Sequence, residues 1–279
     1  VGTILAGVAP NESERRTVQE AIKLALFRRG WLILVSIVPA YGGSMDLLHI
    51  DDARSALTEP HVQALQKASQ AAKTAGLPFE ARLEEGRPEE RLADIAEDRG
   101  AEVIVLGTGA RGAAERAILG STAARVIGCT QADVLVVPPD SDLKFERILL
   151  ATDGSPASRT AEDKAFLMAS EHGARLWMIL VIDVPSEYYL HQSVMDKLWK
   201  KSGQRLEEAQ DRAKALGVEV ETILTRGETP QEILDAAARI DADLIVMGGR
   251  KASGLKHFLM GGSLFRVLSR STRAVWVTP

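Results

Sequence analysis

The chain runs to 279 residues, 46% hydrophobic and 26% charged, a balance that excludes disordered, collagen-like, coiled-coil and disulfide-scaffold classes; at about 150 residues per domain it suggests two domains. With 34 basic against 38 acidic side chains the net charge is −4, so no broad electrostatic attraction draws the chain to nucleic acid. The single cysteine, Cys129, cannot close an intrachain disulfide, no apolar run nears the roughly 20 residues of a membrane span, and the first residues lack the charged front of a secretory signal. A cytoplasmic protein with no nucleic acid and no membrane span is expected.

Short β-rich apolar runs alternate with longer stretches of helical period. In chain order the pattern predicts strand Thr3–Val8, helix Ser13–Arg29, strand Trp31–Val38, helix His61–Ala75, strand Leu77–Leu83, helix Pro88–Arg99, strand Val103–Leu106, helix Ser121–Cys129 and strand Val134–Val137. A second series follows. It opens with strand Arg147–Thr152 and a helix to His172, for which Ser155 is the expected N-cap, Pro156 the first helical residue and Gly173 the stop. Then come strand Arg175–Ile182, an amphipathic helix Gln192–Leu216 ended by Gly217, strand Val218–Thr225, helix Thr229–Arg239, strand Ala242–Met247, helix Gly262–Arg270 and strand Ala274–Val277.

The two series are copies of each other. Ala101-Glu102-Val103-Ile104-Val105-Leu106-Gly107 reappears 141 positions later as Ala242-Asp243-Leu244-Ile245-Val246-Met247-Gly248, and the same offset carries Gly76 onto Gly217 and Gly120 onto Gly261. Near the start of each copy the offset is 144, taking Ile4-Leu5 onto Ile148-Leu149 and Ile37 onto Val181. The difference falls between second strand and second helix, at Tyr41-Gly42-Gly43-Ser44 in one copy and Tyr188-Tyr189 in the other, where loops absorb length changes at low cost. Domains are therefore expected at 1–140 and 141–279. Five strands of nearly continuous apolar character alternating with four helices make each copy an α/β domain with an open, parallel, doubly wound sheet. Ligands of such sheets sit beyond the carboxyl ends of the strands, where the winding reverses.

Two loops of the second copy meet that rule. Thr152-Asp153-Gly154-Ser155 follows its first strand; Gly248-Gly249-Arg250-Lys251 follows its fourth, and Gly261-Gly262-Ser263 opens the next helix. Glycines let backbone approach a phosphate, amides at a helix start point toward it, and a carboxylate across the crevice accepts hydrogen bonds from ribose hydroxyls. Each piece alone reads mostly as an ordinary N-cap or turn. The convergence of the pieces on one crevice favours a ligand.

These residues resemble the universal stress protein family in its tandem, two-domain form, and the resemblance covers nearly the whole chain. It implies a Rossmann-like nucleotide-binding fold and a pseudo-dimer within the chain, built through the last strands of the two copies, and a homodimer is a further option. In ATP-binding members the loop reads Gly, two residues, Gly, nine residues, Gly, then Ser or Thr. The resemblance implies an adenine nucleotide, ATP (with Mg2+) or AMP, in the second copy, with Asp153 at the ribose and adenine end, backbone near Val181 beside the base, Gly248, Gly261, Gly262 and Ser263 along the phosphates, and Thr152, Met247 and Lys251 also among the nucleotide-binding residues. The second glycine of the pattern is Lys251, which either blocks backbone approach or neutralises phosphate charge; Arg250, Lys251, Lys256 and His257 otherwise read as a solvated basic loop. In the first copy Ala110 takes that position, Gly107, Gly120, Ser121 and Thr122 keep a vestigial phosphate-type site, and Ala9 stands where Asp153 stands.

Three functions fit these residues: a nucleotide-responsive stress regulator with an unidentified protein partner, a weak ATPase for which only Asp153 could position water, and a nucleotide-free scaffold for a protein or apolar ligand. No paired metal spacing occurs among the five histidines, and no Gly-x-Ser-x-Gly elbow signals a serine hydrolase.

Overall fold

A run such as Ile4-Leu5-Ala6, none of it exposed, has to be covered on both faces of its sheet. The computed structural model of the chain describes residues 2–11, 14–40, 51–108, 121–185, 191–249 and 262–279, and it divides into two units, Val1–Asp140 and Ser141–Pro279. The first unit contains β1 (Thr3–Gly7), α1 (Glu14–Phe27), β2 (Trp31–Pro39), α2 (Asp51–Thr74), β3 (Phe79–Gly86), α3 (Pro88–Asp98), β4 (Ala101–Gly107), α4 (Ser121–Cys129) and β5 (Asp133–Val137). Its strands run in the order β3-β2-β1-β4-β5 and pair in parallel. The second unit contains β6 (Arg147–Ala151), α5 (Arg159–His172), β7 (Arg175–Ile182), α6 (Gln192–Ala215), β8 (Val220–Arg226), α7 (Thr229–Arg239), β9 (Leu244–Gly248), α8 (Ser263–Arg270) and β10 (Ala274–Thr278). Its order, β8-β7-β6-β9-β10, is the same, again all parallel. Winding therefore reverses between β1 and β4 in one unit and between β6 and β9 in the other. The α/β, doubly wound, parallel architecture expected from the sequence is the one found.

Helical period explains which faces are buried. On α1, Val18, Ala21, Ile22 and Ala25 are buried; on α5, Ala161, Ala165, Phe166 and Ala169. Small side chains on these stripes let each helix lie close to the sheet, and each large one removed from water contributes roughly 1.5–3 kcal/mol. Gly173 ends α5 in the left-handed conformation (φ 64°, ψ 30°), its amide donating to Ala169 O, as its position after the helical run predicts.

Of the boundaries that depart from the sequence expectation, three have a visible local cause. Helix α2 begins at Asp51 and passes through Pro60, where the sequence reading expected a start at His61. Pro60 lies on an exposed face, so the carbonyl that loses its donor can turn to water. Ser155 is extended (φ −80°, ψ 161°) and precedes Pro156, but its hydroxyl caps nothing; Pro156–Ser158 forms a 3-10 turn and α5 starts only at Arg159. The Ser155 amide is taken by the Asp153 carboxylate and its carbonyl by the Ser158 hydroxyl, which holds the segment as a turn. Strand β9 starts at Leu244 rather than Ala242, because the Ala242 amide still closes the end of α7 on Ala237 O.

The start of the second unit is fixed by one carboxylate. Asp243, 5% exposed, accepts the amides of Phe145, Glu146 and Arg147, each at 2.9 Å. Beside it Arg147 and Arg273 both pair with Asp241 at 2.7 and 2.9 Å. The equivalent residue of the first unit, Glu102, is an exposed partner of Arg28. Asp243→Ala leaves three amides without their charged acceptor, and each such bond is worth about 1.5–3 kcal/mol before the chain readjusts. Urea unfolding of this variant is expected to show the second unit destabilised by roughly 2–3 kcal/mol, with Asp243→Asn intermediate; an unchanged midpoint would contradict the role given to Asp243.

Candidate functional site

Parallel pairing brings three strand ends of the second unit together. Ala151 of β6 lies in register with Ile179 of β7 and Met247 of β9, and the Thr152 amide extends the ladder to Ile179 O at 3.0 Å. Thr152, Asp153, Val181, Met247 and Gly248 are thus all at the carboxyl edge, around the point where winding reverses. Gly248 sits against the turn after Asp153: a Cβ placed on it would lie 3.9 Å from Ala157 O and 4.0 Å from Ser158 Cα. Its backbone does not need glycine, and the protein around it has room for a methyl group. Gly262 is the residue before α8 (φ −68°, ψ 158°), with no heavy atom of the described residues within 4 Å of a Cβ placed there, and Ser263 is the exposed first residue of the helix. Lys251, Gly261 and the remainder of the basic stretch from Arg250 to His257 lie outside the described residues, as do the tyrosine-bearing segments at 41–50 and 186–190.

The loop carrying Asp153 is closely tied. The Ser155 amide donates to Asp153 Oδ1 at 2.8 Å, and the Gly154 amide donates to Thr152 Oγ1 at 2.9 Å. Gly154 is left-handed (φ 64°), and a Cβ on it would meet the Arg205 side chain at 2.7 Å, so this glycine serves the fold. Arg205 of α6 donates to Asp153 O at 3.0 Å. Asp153 remains exposed. Burial of part of its carboxyl works to raise the pKa, but hydrogen bonds from Ser155 and Ser158 and the Arg205 charge outweigh it and hold the group below the ordinary carboxylate range. At neutral pH it is an anion, an acceptor of hydrogen bonds at the mouth of the crevice.

Beneath the loop lies a polar layer that the sequence reading missed. Glu162 of α5, 2% exposed, accepts the Thr152 hydroxyl at 2.5 Å, lies 3.3 Å from Ser158 Oγ and is ion-paired to Arg212 of α6. Thr152 Oγ1 and Ser158 Oγ are 2.9 Å apart. Arg212 also reaches Asp163 at 3.0 Å. The available signal was a glutamate directly beside the apolar stripe Ala161, Ala165 and Ala169.

The first unit differs at the same edge. Gly107 ends β4 and Thr122 is half-buried on α4, which begins at Ser121; Gly120 lies outside the described residues. Where the second unit has Asp153 there is exposed Ala9. Here Ser36, fully buried, donates to Val8 O at 2.7 Å, and His61 Nδ1 lies 2.9 Å from the Ser36 oxygen. Because the Ser36 proton is used on Val8, His61 supplies the proton of the second bond, and burial lowers its pKa, favouring the neutral ring. Among the described residues no cluster of potential ligands suits a metal, and no helix is long and apolar enough to cross a membrane.

Known proteins carry the same pattern. The profile of the universal stress protein family matches residues 1–138 and again 144–279. A universal stress protein of Bacillus subtilis, YxiE, is 34% identical over 145 residues, 48% of this chain and 98% of its own. One from Mycolicibacterium smegmatis is 29% identical over 191 residues, covering 66% of this chain and 63% of that one. The crystal structure of a universal stress protein from Archaeoglobus fulgidus superposes with a TM-score of 0.74 at 21% identity, across 99% of this chain and 95% of that one, a likeness of fold. With two successive matches that account for nearly all its residues, the chain belongs to the universal stress protein family and carries the family's domain twice.

Proposed function

We propose that the second unit binds an adenine nucleotide, ATP or AMP, and that the chain works as a nucleotide-responsive stress regulator acting through a protein partner in the cytoplasm. The observation that carries this reading is the exposed, ionised Asp153 at the carboxyl edge, beside a Gly248 that the fold itself does not require. In this arrangement Asp153 accepts the ribose hydroxyls, Val181 and Met247 flank the base, and the glycines at 248 and 262 leave room for phosphates to approach main-chain amides, with Ser263 at the start of α8. Lys251 adds positive charge to the same phosphates, and Mg2+ accompanies ATP. The first unit, with Ala9 in place of the carboxylate, plays the structural role.

Binding is favoured over hydrolysis by the state of Asp153. A carboxylate held below its ordinary range is a weak general base at neutral pH, whereas it is well suited to accept hydrogen bonds from a diol. Loss of a charged hydrogen bond costs about 1.5–3 kcal/mol, or roughly 10- to 100-fold in affinity.

Calorimetric titration of the full chain with ATP or AMP is expected to give one site per chain. Asp153→Ala is expected to weaken it by about 10- to 100-fold; absence of heat at millimolar nucleotide would overturn the reading. Gly248→Ala separates ligand from fold. Its methyl group meets protein only at ordinary contact distance, so stability should stay within about 0.5 kcal/mol while nucleotide affinity drops at least about tenfold. Equal affinity in Gly248→Ala would remove the phosphate end of the site from Gly248.

A further inference from the structure

The second copy buries Glu162, paired with the part-exposed Arg212, at a place that the first copy fills with an apolar side chain. Helix ends set the correspondence. The Gly30 amide donates to Ala25 O and the Ala174 amide to Ala169 O, 144 positions on; the Leu77 amide donates to Ala72 O and the Val218 amide to Ala213 O, 141 positions on. By those offsets Thr152, Asp153, Glu162, Arg205 and Arg212 correspond to Val8, Ala9, Val18, Ala64 and Ala71. Ser155 and Ser158 of the turn have polar counterparts, Asn11 and Glu14. Val18 is 3% exposed and Glu162 2%, so the two occupy equally buried places. The same helix, strand and crossover form around either set.

The fold therefore does not call for this layer. A carboxylate buried under such a pair is also a poor means of stabilising a protein: the cost of taking Glu162 out of water offsets much of its attraction to Arg212, and apolar replacements often serve as well. Position gives the layer its meaning. Glu162 holds the Thr152 hydroxyl, whose oxygen accepts the Gly154 amide. Arg212 holds the other oxygen of Glu162, and Arg205, two turns away on the same helix, holds the Asp153 carbonyl. Apart from the Arg212 contact with Asp163, these links lead to the loop that carries the Asp153 carboxylate.

We infer that Glu162 and Arg212, with Arg205, are positioning residues that fix the Asp153 carboxylate in the geometry a ligand's hydroxyls require, and that they accompany Asp153 in the second copy because they serve it. This inference rests on the nucleotide reading for its ligand, but the geometry it assigns can be read without one. In the free protein the network holds the loop in the turn where the Ser155 amide bonds the carboxylate; once the network is gone the turn relaxes and that bond weakens.

The test transplants the first copy's residues as Glu162→Val with Arg212→Ala, leaving Asp153 in place; Glu162→Gln, which preserves volume, serves if the double variant does not fold. Thermal unfolding checks the fold. Carboxyl-carbon NMR follows Asp153 titration, and calorimetry follows ATP or AMP. The inference predicts a folded variant at least as stable as the parent, Asp153 titrating closer to the ordinary carboxylate range, nucleotide affinity about tenfold weaker, and a smaller effect when Asp153→Ala is added than in the parent chain. Unchanged Asp153 titration overturns it, whether or not nucleotide binds. Unchanged affinity with an undiminished Asp153→Ala effect overturns it as well. If the parent chain binds no nucleotide yet Asp153 titration shifts, the nucleotide reading fails and the positioning role stands.

Discussion

Parallel pairing of β6 with both β7 and β9 is the constraint from which the rest follows. A strand flanked on both sides by parallel neighbours, in a sheet with helices on both faces, has no solvated side chains along its length. Polar chemistry is displaced to the ends. Each helical crossover returns the chain to the amino edge, so at the reversal of winding the loops after β6 and β9 turn away from each other and leave a crevice at the carboxyl edge. Thr152, Asp153, Val181, Met247 and Gly248 are gathered there by topology alone, from segments nearly a hundred residues apart. The same constraint acts in the first unit, where it gathers Val8, Ala9 and Gly107 and leaves little polar chemistry to use.

The comparison between the copies turns on where each accepts an energetic cost. Removing a charge from water costs several kcal/mol even after relaxation. The second copy accepts that cost at Glu162, under a loop whose exposed tip is an ionised carboxylate. The first copy fills the same place with Val18 and closes its strand end with the Ser36 and His61 hydrogen bonds. One edge is built to present a charge, the other to satisfy itself. On the proposed reading, that division lets one domain of a duplicated pair keep the scaffold while the other keeps the ligand, a common relation between fold and site.

Much of this was legible in the residues. Apolar runs located the strands because burial on both faces leaves an unbroken signal, and the repeat located the units. Glycine after a helical run located the end of α5. Helix starts read less well: Pro60 signals a boundary in sequence but lies on an exposed face of α2, where its missing hydrogen bond is cheap. Ser155-Pro156 has the composition of a helix start, yet Asp153 competes for the Ser155 amide and makes a turn. The supporting layer was the hardest to read. Glu162, Arg205 and Arg212 each resemble solvated charges on an amphipathic helix, and only three-dimensional depth distinguishes a glutamate that is 2% exposed from its neighbour Asp163 on the surface. Alignment of one copy on the other supplies part of that information, because Val18 marks the Glu162 position as buried.

The central claim is that one copy recognises a nucleotide and the other holds the fold. Backbone amide NMR during titration of the full chain with AMP tests it most directly, since the two copies report separately in one experiment. Saturable shifts are predicted at Asp153, Val181, Gly248 and Ser263, with Ala9, Ile37, Gly107 and Thr122 at the matching places of the first copy unmoved. Equal shifts in both sets, shifts confined to the first copy, or no saturable shift in either would contradict the account.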